Sequence, residues 1–259
     1  MSALQNSSQR RVIASSTPLR RAPGDEAPLD SQLLFGEIFS VHSEAYGWAQ
    51  GQAALDHYKG YTPVSALGPI GPLPTHTIRV PRTFVYRDAD IKSPPLMWLN
   101  MNSNIAVTAQ MDGFSRIEEL GWVYTAHIIP VGAHAEDFVR VAEEFLGAPY
   151  LWGGKDSLGM DCSGLLQTAM QRAGLICPRD SHQQAELGEA APTGLTDLRR
   201  GDLIFWKGHV GIMRDPEMLL HANAHHMRVV SEPLTAAVAR IAASGLEVTG
   251  VRRLPRTGS

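Results

Sequence analysis

A thiol to attack, an imidazole to move its proton and a third polar group to orient that imidazole are the parts of nucleophilic acyl transfer. Cys162 stands in the stretch PYLWGGKDSLGMDCSGLLQTAM, residues 149–170, between Asp161 and Ser163 and behind the pair Gly153-Gly154. Three roles compete for it: a small core residue, a metal ligand and a nucleophile. Polar neighbours and nearby glycines suit a core poorly, because they let backbone come close to something other than packed hydrocarbon. Among ten histidines, His209 opens the apolar run HVGIM and His221 follows twelve residues later in LLHANA. His225 and His226 have no carboxylate or cysteine beside them at ligand spacing, so no metal and no cofactor are expected.

The elements that must hold these groups follow from periodicity. In SGLLQTAMQRA, Leu165, Leu166, Ala169 and Met170 share a helical face that stops at Gly174. Cys162 then falls at the amino end of a helix, where free N–H groups and the dipole favour negative charge and lower a thiol's pKa. An earlier helix is predicted through Phe138, Val141, Ala142 and Phe145, closed by Gly147 and Pro149. The segments GDLIFWKG, HVGIMRD, MLLHANAHH and MRVVSEPL predict an antiparallel sheet. A turn centred at residue 215 sets positions 209 and 221 directly opposite. Helices followed by such a sheet make an α+β domain, expected over residues 134–257. Upstream, short β-rich runs broken by Gly, Pro, Asn and Asp predict two small all-β barrels, 31–70 and 75–130, joined at GPIGPLPTHT. The Ser- and Pro-rich start, with Arg10, Arg11, Arg20 and Arg21, predicts a disordered tail over residues 1–30.

Composition narrows the function classes. With 259 residues, 44% of them hydrophobic, the chain can bury a sizeable core. A net charge of −3 with no long basic run argues against a nucleic-acid partner. Nothing approaches the roughly 18–20 apolar residues of a membrane span. The longest apolar run in the first thirty residues is three, so the expected location is cytoplasmic.

The strings GAPYLWGGKDSLGMDCSGLLQTAM, RDSHQQ, LRRGDLIFW, HVGIM and LLHA, in that order, resemble the NlpC/P60 family of papain-like bacterial cysteine peptidases over residues 134–254. The resemblance implies Cys162 as nucleophile, His209 as general base, His221 as the residue holding the imidazole, and Tyr150 as an oxyanion donor beside the Cys162 N–H. In one branch of the family, bacterial SH3-like domains precede the catalytic domain. FGEIFSVHSEAYGWAQGQAALDHYKGYTPVSAL is similar to the first of them. That branch cuts the γ-D-glutamyl-diamino acid bond of murein peptides whose amino-terminal L-Ala is free. By that likeness Asp161, Ser163, Trp152 and Ser181 line the substrate site, Asp161 meets the substrate ammonium, and the barrel adds Glu37 and Tyr61, with Tyr58 competing for the latter place. The expected partner is a murein-derived peptide and the expected role is its recycling. Amidase or acyltransferase chemistry on the same scaffold, and peptide binding without catalysis, are the alternatives.

Overall fold

The computed structural model describes residues 8–191 and 195–255, and the chain divides into two compact units after Ala133. In the first unit, β1 (Ser8–Val12), β2 (Ser16–Arg20), β3 (Leu29–Leu34), β4 (Ile38–Ala45), β5 (Trp48–Ala53), β6 (Lys59–Pro63) and β7 (Leu67–Gly68) form one antiparallel sheet in the order β3-β2-β6-β5-β4-β1-β7. Alternating inward residues close it on a core of Val12, Leu19, Leu33, Phe39, Val41, Ala49, Ala53 and Leu67.

The disordered tail is corrected from residue 8 onward. Val12 and Leu19 are fully buried, Arg10 pairs with Glu44 at 2.7 Å, and Arg21 pairs with Asp30 at 2.7 Å. Few inward residues are needed when a strand is one of seven. Serine and proline in STPLR sit in a strand that pairs along its length with β3 but meets β6 only at Arg20 and Tyr61, so polar composition is a poor guide here. Residues 1–7 of the expected tail lie outside the described residues.

A second all-β domain follows: β8 (His76–Ile78), β9 (Arg82–Tyr86), β10 (Pro95–Asn100), β11 (Asn104–Ile105), β12 (Val107–Met111), β13 (Phe114–Ile117), β14 (Gly121–Tyr124) and β15 (Ile128–Pro130). They form a five-stranded sheet, β10-β9-β14-β13-β12, and a three-stranded one, β11-β8-β15. Its core holds Ile78, Val85, Leu99, Ile105, Ile117, Val123 and Ile128, together with Phe35 from the end of β3. Asn104 N–H donates to the Phe35 carbonyl at 3.1 Å and the Asn100 amide to the Ser15 carbonyl at 3.1 Å. The two barrels are therefore joined through Phe35 as well as by the linker after β7.

The second unit is α+β. It runs α1 (Phe138–Glu143), β16 (Lys155–Asp156), β17 (Gly159–Met160), α2 (Cys162–Arg172), α3 (Ser181–Gln184), β18 (Glu189–Ala190), β19 (Leu203–Trp206), β20 (His209–Met213), β21 (Met218–Asn223), β22 (Arg228–Pro233), α4 (Leu234–Ala242) and β23 (Val248–Arg253). The antiparallel sheet order is β18-β23-β19-β20-β21-β22, so the four predicted strands are consecutive neighbours. Helix α2 is buried nearly all round, packed on α1, β20 and β21. A helix buried on its polar side, Gln167, Thr168 and Arg172, as well as on its apolar one belongs in the middle of a domain, where its amino end can be held rigidly.

Candidate active site

Asp161 caps α2: its Oδ1 accepts the Gly164 N–H at 2.7 Å and leaves Cys162 as the first helical residue. The cap is braced from beneath. Arg179, 1% exposed, donates to Asp161 Oδ1 at 2.9 Å and Oδ2 at 2.8 Å, and to Ser163 Oγ at 2.8 Å. Gly153 N–H donates to Asp161 Oδ2 at 2.8 Å and Ser163 Oγ–H to Oδ1 at 3.2 Å. Five donors thus converge on one carboxylate, which has about four lone-pair directions. Asp161 is first of all a cap and an ion-pair partner, and the Ser163 hydroxyl is tied into the same cluster. The glycines have a packing reason: a Cβ on Gly164 would collide with the Gly154 carbonyl, and one on Gly154 with the Gly159 carbonyl. What comes close to them is backbone of this same loop and helix.

The backbone N–H groups of Val210 and Ser163 reach the sulfur of buried Cys162. The residue before Val210 is His209, held at the start of β20 by a two-residue turn through Lys207 and Gly208, whose φ is +77°. Its ring lies 5.6 Å from that of Trp206 and 5.0 Å from that of His221. His209 Nε2 and His221 Nδ1 are 2.8 Å apart. The register differs from the expected one: Ile212 pairs with Leu220 and Met213 with Leu219, which centres the turn at residue 216. His209 and His221 are therefore diagonal neighbours on one face rather than directly opposite, still within reach of two imidazoles. His221 is fully buried and is bonded in turn to Glu232 Oε1 at 2.7 Å.

The electrostatics depart from a thiolate primed by the helix end. Burial, then the negative charge of Asp161, pushes the Cys162 thiol up to about 12, outweighing the two N–H groups and Arg179. Burial, then His221 and Arg240, pushes His209 down to about 3. Both shifts favour the uncharged forms at neutral pH, a thiol at Cys162 and an imidazole at His209. Tyr150 is pushed up to about 12 by burial, then by Cys162 and Asp161, so its phenol keeps its proton as a donor. Its backbone N–H is fixed to the Met227 carbonyl at 2.9 Å.

Cys162, His209, His221, Tyr150, Asp161 and Ser163 are thus brought together. Trp152, on the loop behind the cap, is 63% exposed, which removes core packing as its role, and Ser181 opens α3 half-buried. Glu37 and Tyr61 belong to the first unit. Glu37 is buried where β4 begins, Tyr61 is half-buried on β6, and Tyr58 packs against the barrel core, which leaves Tyr61 the less committed of the two tyrosines. Arg179, Asn223, Glu232 and Arg240 had not been singled out. Arg179 stands in RDSHQQ, where the adjacent Asp180 makes it read as an ordinary solvated charge.

Comparison with known proteins gives the arrangement its relatives. Residues 147–241 match the NlpC/P60 family and residues 19–67 the bacterial dipeptidyl-peptidase SH3 domain. The chain is 29% identical to the gamma-D-glutamyl-L-lysine dipeptidyl-peptidase of Bacillus subtilis (strain 168), over 75% of this chain and 72% of that protein. It is 33% identical to dipeptidyl-peptidase 6 of Lysinibacillus sphaericus, over 43% of this chain and only 41% of that one. The fold matches the crystal structure of an NlpC/P60 family protein from Bacillus cereus ATCC 10987 with a TM-score of 0.82 at 21% identity, covering 96% of this chain and all of that one. Relatives named as peptidases and endopeptidases make hydrolysis the class of chemistry for this domain. The chain therefore joins an NlpC/P60 family domain to a bacterial dipeptidyl-peptidase SH3 domain that precedes it.

Proposed function

We propose that the chain is a cysteine peptidase that releases a dipeptide from murein-derived peptides by cutting the γ-D-glutamyl-diamino acid bond, with Cys162 as nucleophile. The observation that carries this reading is the thiol held by the Val210 N–H next to His209, whose far nitrogen is occupied by His221 at 2.8 Å. That leaves His209 Nδ1 for the thiol proton. Proton transfer from Sγ to Nδ1 accompanies attack of sulfur on the γ-glutamyl carbonyl carbon. The Cys162 N–H and the Tyr150 phenol stabilise the resulting oxyanion. The C–N bond then breaks, with the imidazolium giving its proton to the departing amine of the diamino acid. Water deprotonated by the same nitrogen hydrolyses the thioester and restores the thiol.

Because the resting pair is neutral, the ion pair forms only as the carbonyl is engaged, which limits reaction with stray electrophiles. Support for the dipeptide product comes from the names of the relatives, one acting on a γ-D-glutamyl-L-lysine linkage. The test is hydrolysis of L-Ala-γ-D-Glu carrying either lysine or meso-diaminopimelate, with and without an N-acetyl group, by the wild type and by Cys162→Ala. Cleavage of the free-amine peptides alone, lost in the variant, supports the reading and its place in recycling of released peptides. Cleavage of the acetylated forms as well removes the free-amine requirement, and cleavage of neither removes the proposed substrate.

A further inference from the structure

The hydrogen-bond chain behind the base continues past His221. Glu232 Oε1 lies 2.7 Å from His221 Nε2, and Arg240 grips the same carboxylate in fork geometry, Nη1 to Oε2 at 2.6 Å and Nη2 to Oε1 at 2.7 Å. These groups come from three successive elements, β21, β22 and α4. His221 pairs with Val230 across the β21–β22 ladder, so Glu232 is its diagonal neighbour on the same face. Burial opposes ionisation of Glu232, but the hydrogen bonds from Arg240 and His221 outweigh it and hold the carboxyl down at about 2. At neutral pH it is a carboxylate that can only accept.

A competing donor stands beside it. The Asn223 amide nitrogen is 3.0 Å from the same His221 Nε2, and the Asn223 oxygen is anchored by the His226 backbone N–H at 2.8 Å and faces the His226 ring nitrogen at 3.0 Å. If Asn223 donated to Nε2, the chain would run backwards. His221 Nδ1–H would donate to His209 Nε2, and His209 Nδ1 would carry a hydrogen facing the thiol, unable to act as a base. The shorter contact decides, because a hydrogen bond to an ionised acceptor is about twice as strong as a neutral one. His221 Nε2–H donates to Glu232, His221 Nδ1 accepts from His209 Nε2–H, and His209 Nδ1 is left with its lone pair.

We propose that Glu232, clamped by Arg240, is a positioning residue that sets the tautomers of His221 and His209 so that His209 Nδ1 is the free base for Cys162. When the thiol proton arrives at Nδ1, the imidazolium is stabilised through His221 by the Glu232 charge. No proton reaches Glu232 itself. The inference rests on the reading of Cys162 and His209 as nucleophile and base, but not on the identity of the peptide cut.

The test uses the whole chain with ¹⁵N-labelled histidine. Nitrogen shifts should show both His209 and His221 as Nε2–H tautomers in the resting protein. In Glu232→Gln, whose side chain can present an amide donor, His221 should move to the Nδ1–H form. Alkylation of Cys162 by iodoacetamide and turnover should both fall on the order of 10²-fold or more, with KM and melting temperature little changed, as expected for a base held in the wrong tautomer. Glu232→Asp should recover part of the rate. A proton on His209 Nδ1 in the wild type overturns the proposal, and so does a folded Glu232→Gln whose alkylation stays within about threefold of wild type. Should that variant fail to fold, the wild-type nitrogen shifts still decide. Alkylation that depends on Glu232, with no cleavage of a murein tripeptide, sinks the substrate and keeps the relay. The opposite pattern sinks the relay alone.

Discussion

In the first barrel the buried polar side chains Thr17 and Thr62 meet hydroxyl to hydroxyl at 2.9 Å. Around Cys162 the polar side chains form two braces: buried Arg179 on Asp161 beneath Cys162, and half-buried Arg240 on half-buried Glu232 behind His209 and His221. The barrel pair satisfies two groups that an apolar substitute of the same shape would render unnecessary. Each brace instead fixes the orientation of a group that must do chemistry, and each uses the planar fork of arginine, which holds a carboxylate in direction as well as in place. The same device, a contact between polar side chains, is filler in one unit and alignment in the other.

The largest effect that would break this comparison is at Arg179. Replacement by methionine leaves the Asp161 charge buried without its counterion, and unfolding free energy should drop by about 3–5 kcal/mol. Denaturant melts give the answer. A loss below about 1 kcal/mol, the scale of a surface pair, would mean that the cap holds without the brace. Next comes Tyr150→Phe, which deletes the proposed oxyanion donor and should lower kcat about 10²-fold with KM nearly unchanged. An equal loss in both constants would assign the phenol to substrate binding instead.

The third effect is an acid-side pH dependence in which His209 takes part, alongside His221 in the second unit and His76 and His127 in the first, all lowered by burial. His209 has a folded value of about 3 against 6.5 in an open chain. As pH falls below 6.5 the unfolded chain takes up the proton first, so stability is intact above 6.5 and is lost progressively down towards 3. At pH 5 the loss from this group is about 2 kcal/mol, from roughly 1.4 kcal/mol per unit. His209→Ala should flatten that limb of the stability profile, and an unchanged slope would place the acid sensitivity elsewhere.

What was legible in the sequence divides along the same line. The placement of Cys162, His209 and His221 could be read because a helix start and a hairpin carry them, and the roles proposed for them follow from the residue types that acyl transfer uses. The braces could not. Glu232 faces His221 only on the register that pairs His221 with Val230, and Arg240 reaches it from the next helix. One residue of slippage would turn Glu232 to the other face of the sheet. The expected primed thiolate failed for a physical reason: reading a helix end from sequence reveals the dipole but not the burial that opposes it. In the barrel, strands β1 and β2 were hidden by serine, proline and arginine, whose polarity masks the inward Val12 and Leu19.

The smallest effect sharpens the comparison from the barrel side. Thr17→Val alone leaves the Thr62 hydroxyl buried without its partner, and this should cost about 1–3 kcal/mol. Adding Thr62→Val removes the orphan, and because valine matches threonine in shape the double variant should return close to wild type. The contrast with the catalytic domain lies in that recovery. A second substitution at Asp161 cannot rescue Arg179→Met, since the carboxylate also caps α2 through the Gly164 N–H and holds the Gly153 N–H. A double-mutant cycle run on both pairs measures this directly. Full recovery in the barrel and none at Asp161 would show that the barrel pair is replaceable by hydrocarbon while the brace is not. Equal recovery at both would reduce the Arg179 contact to the same filler.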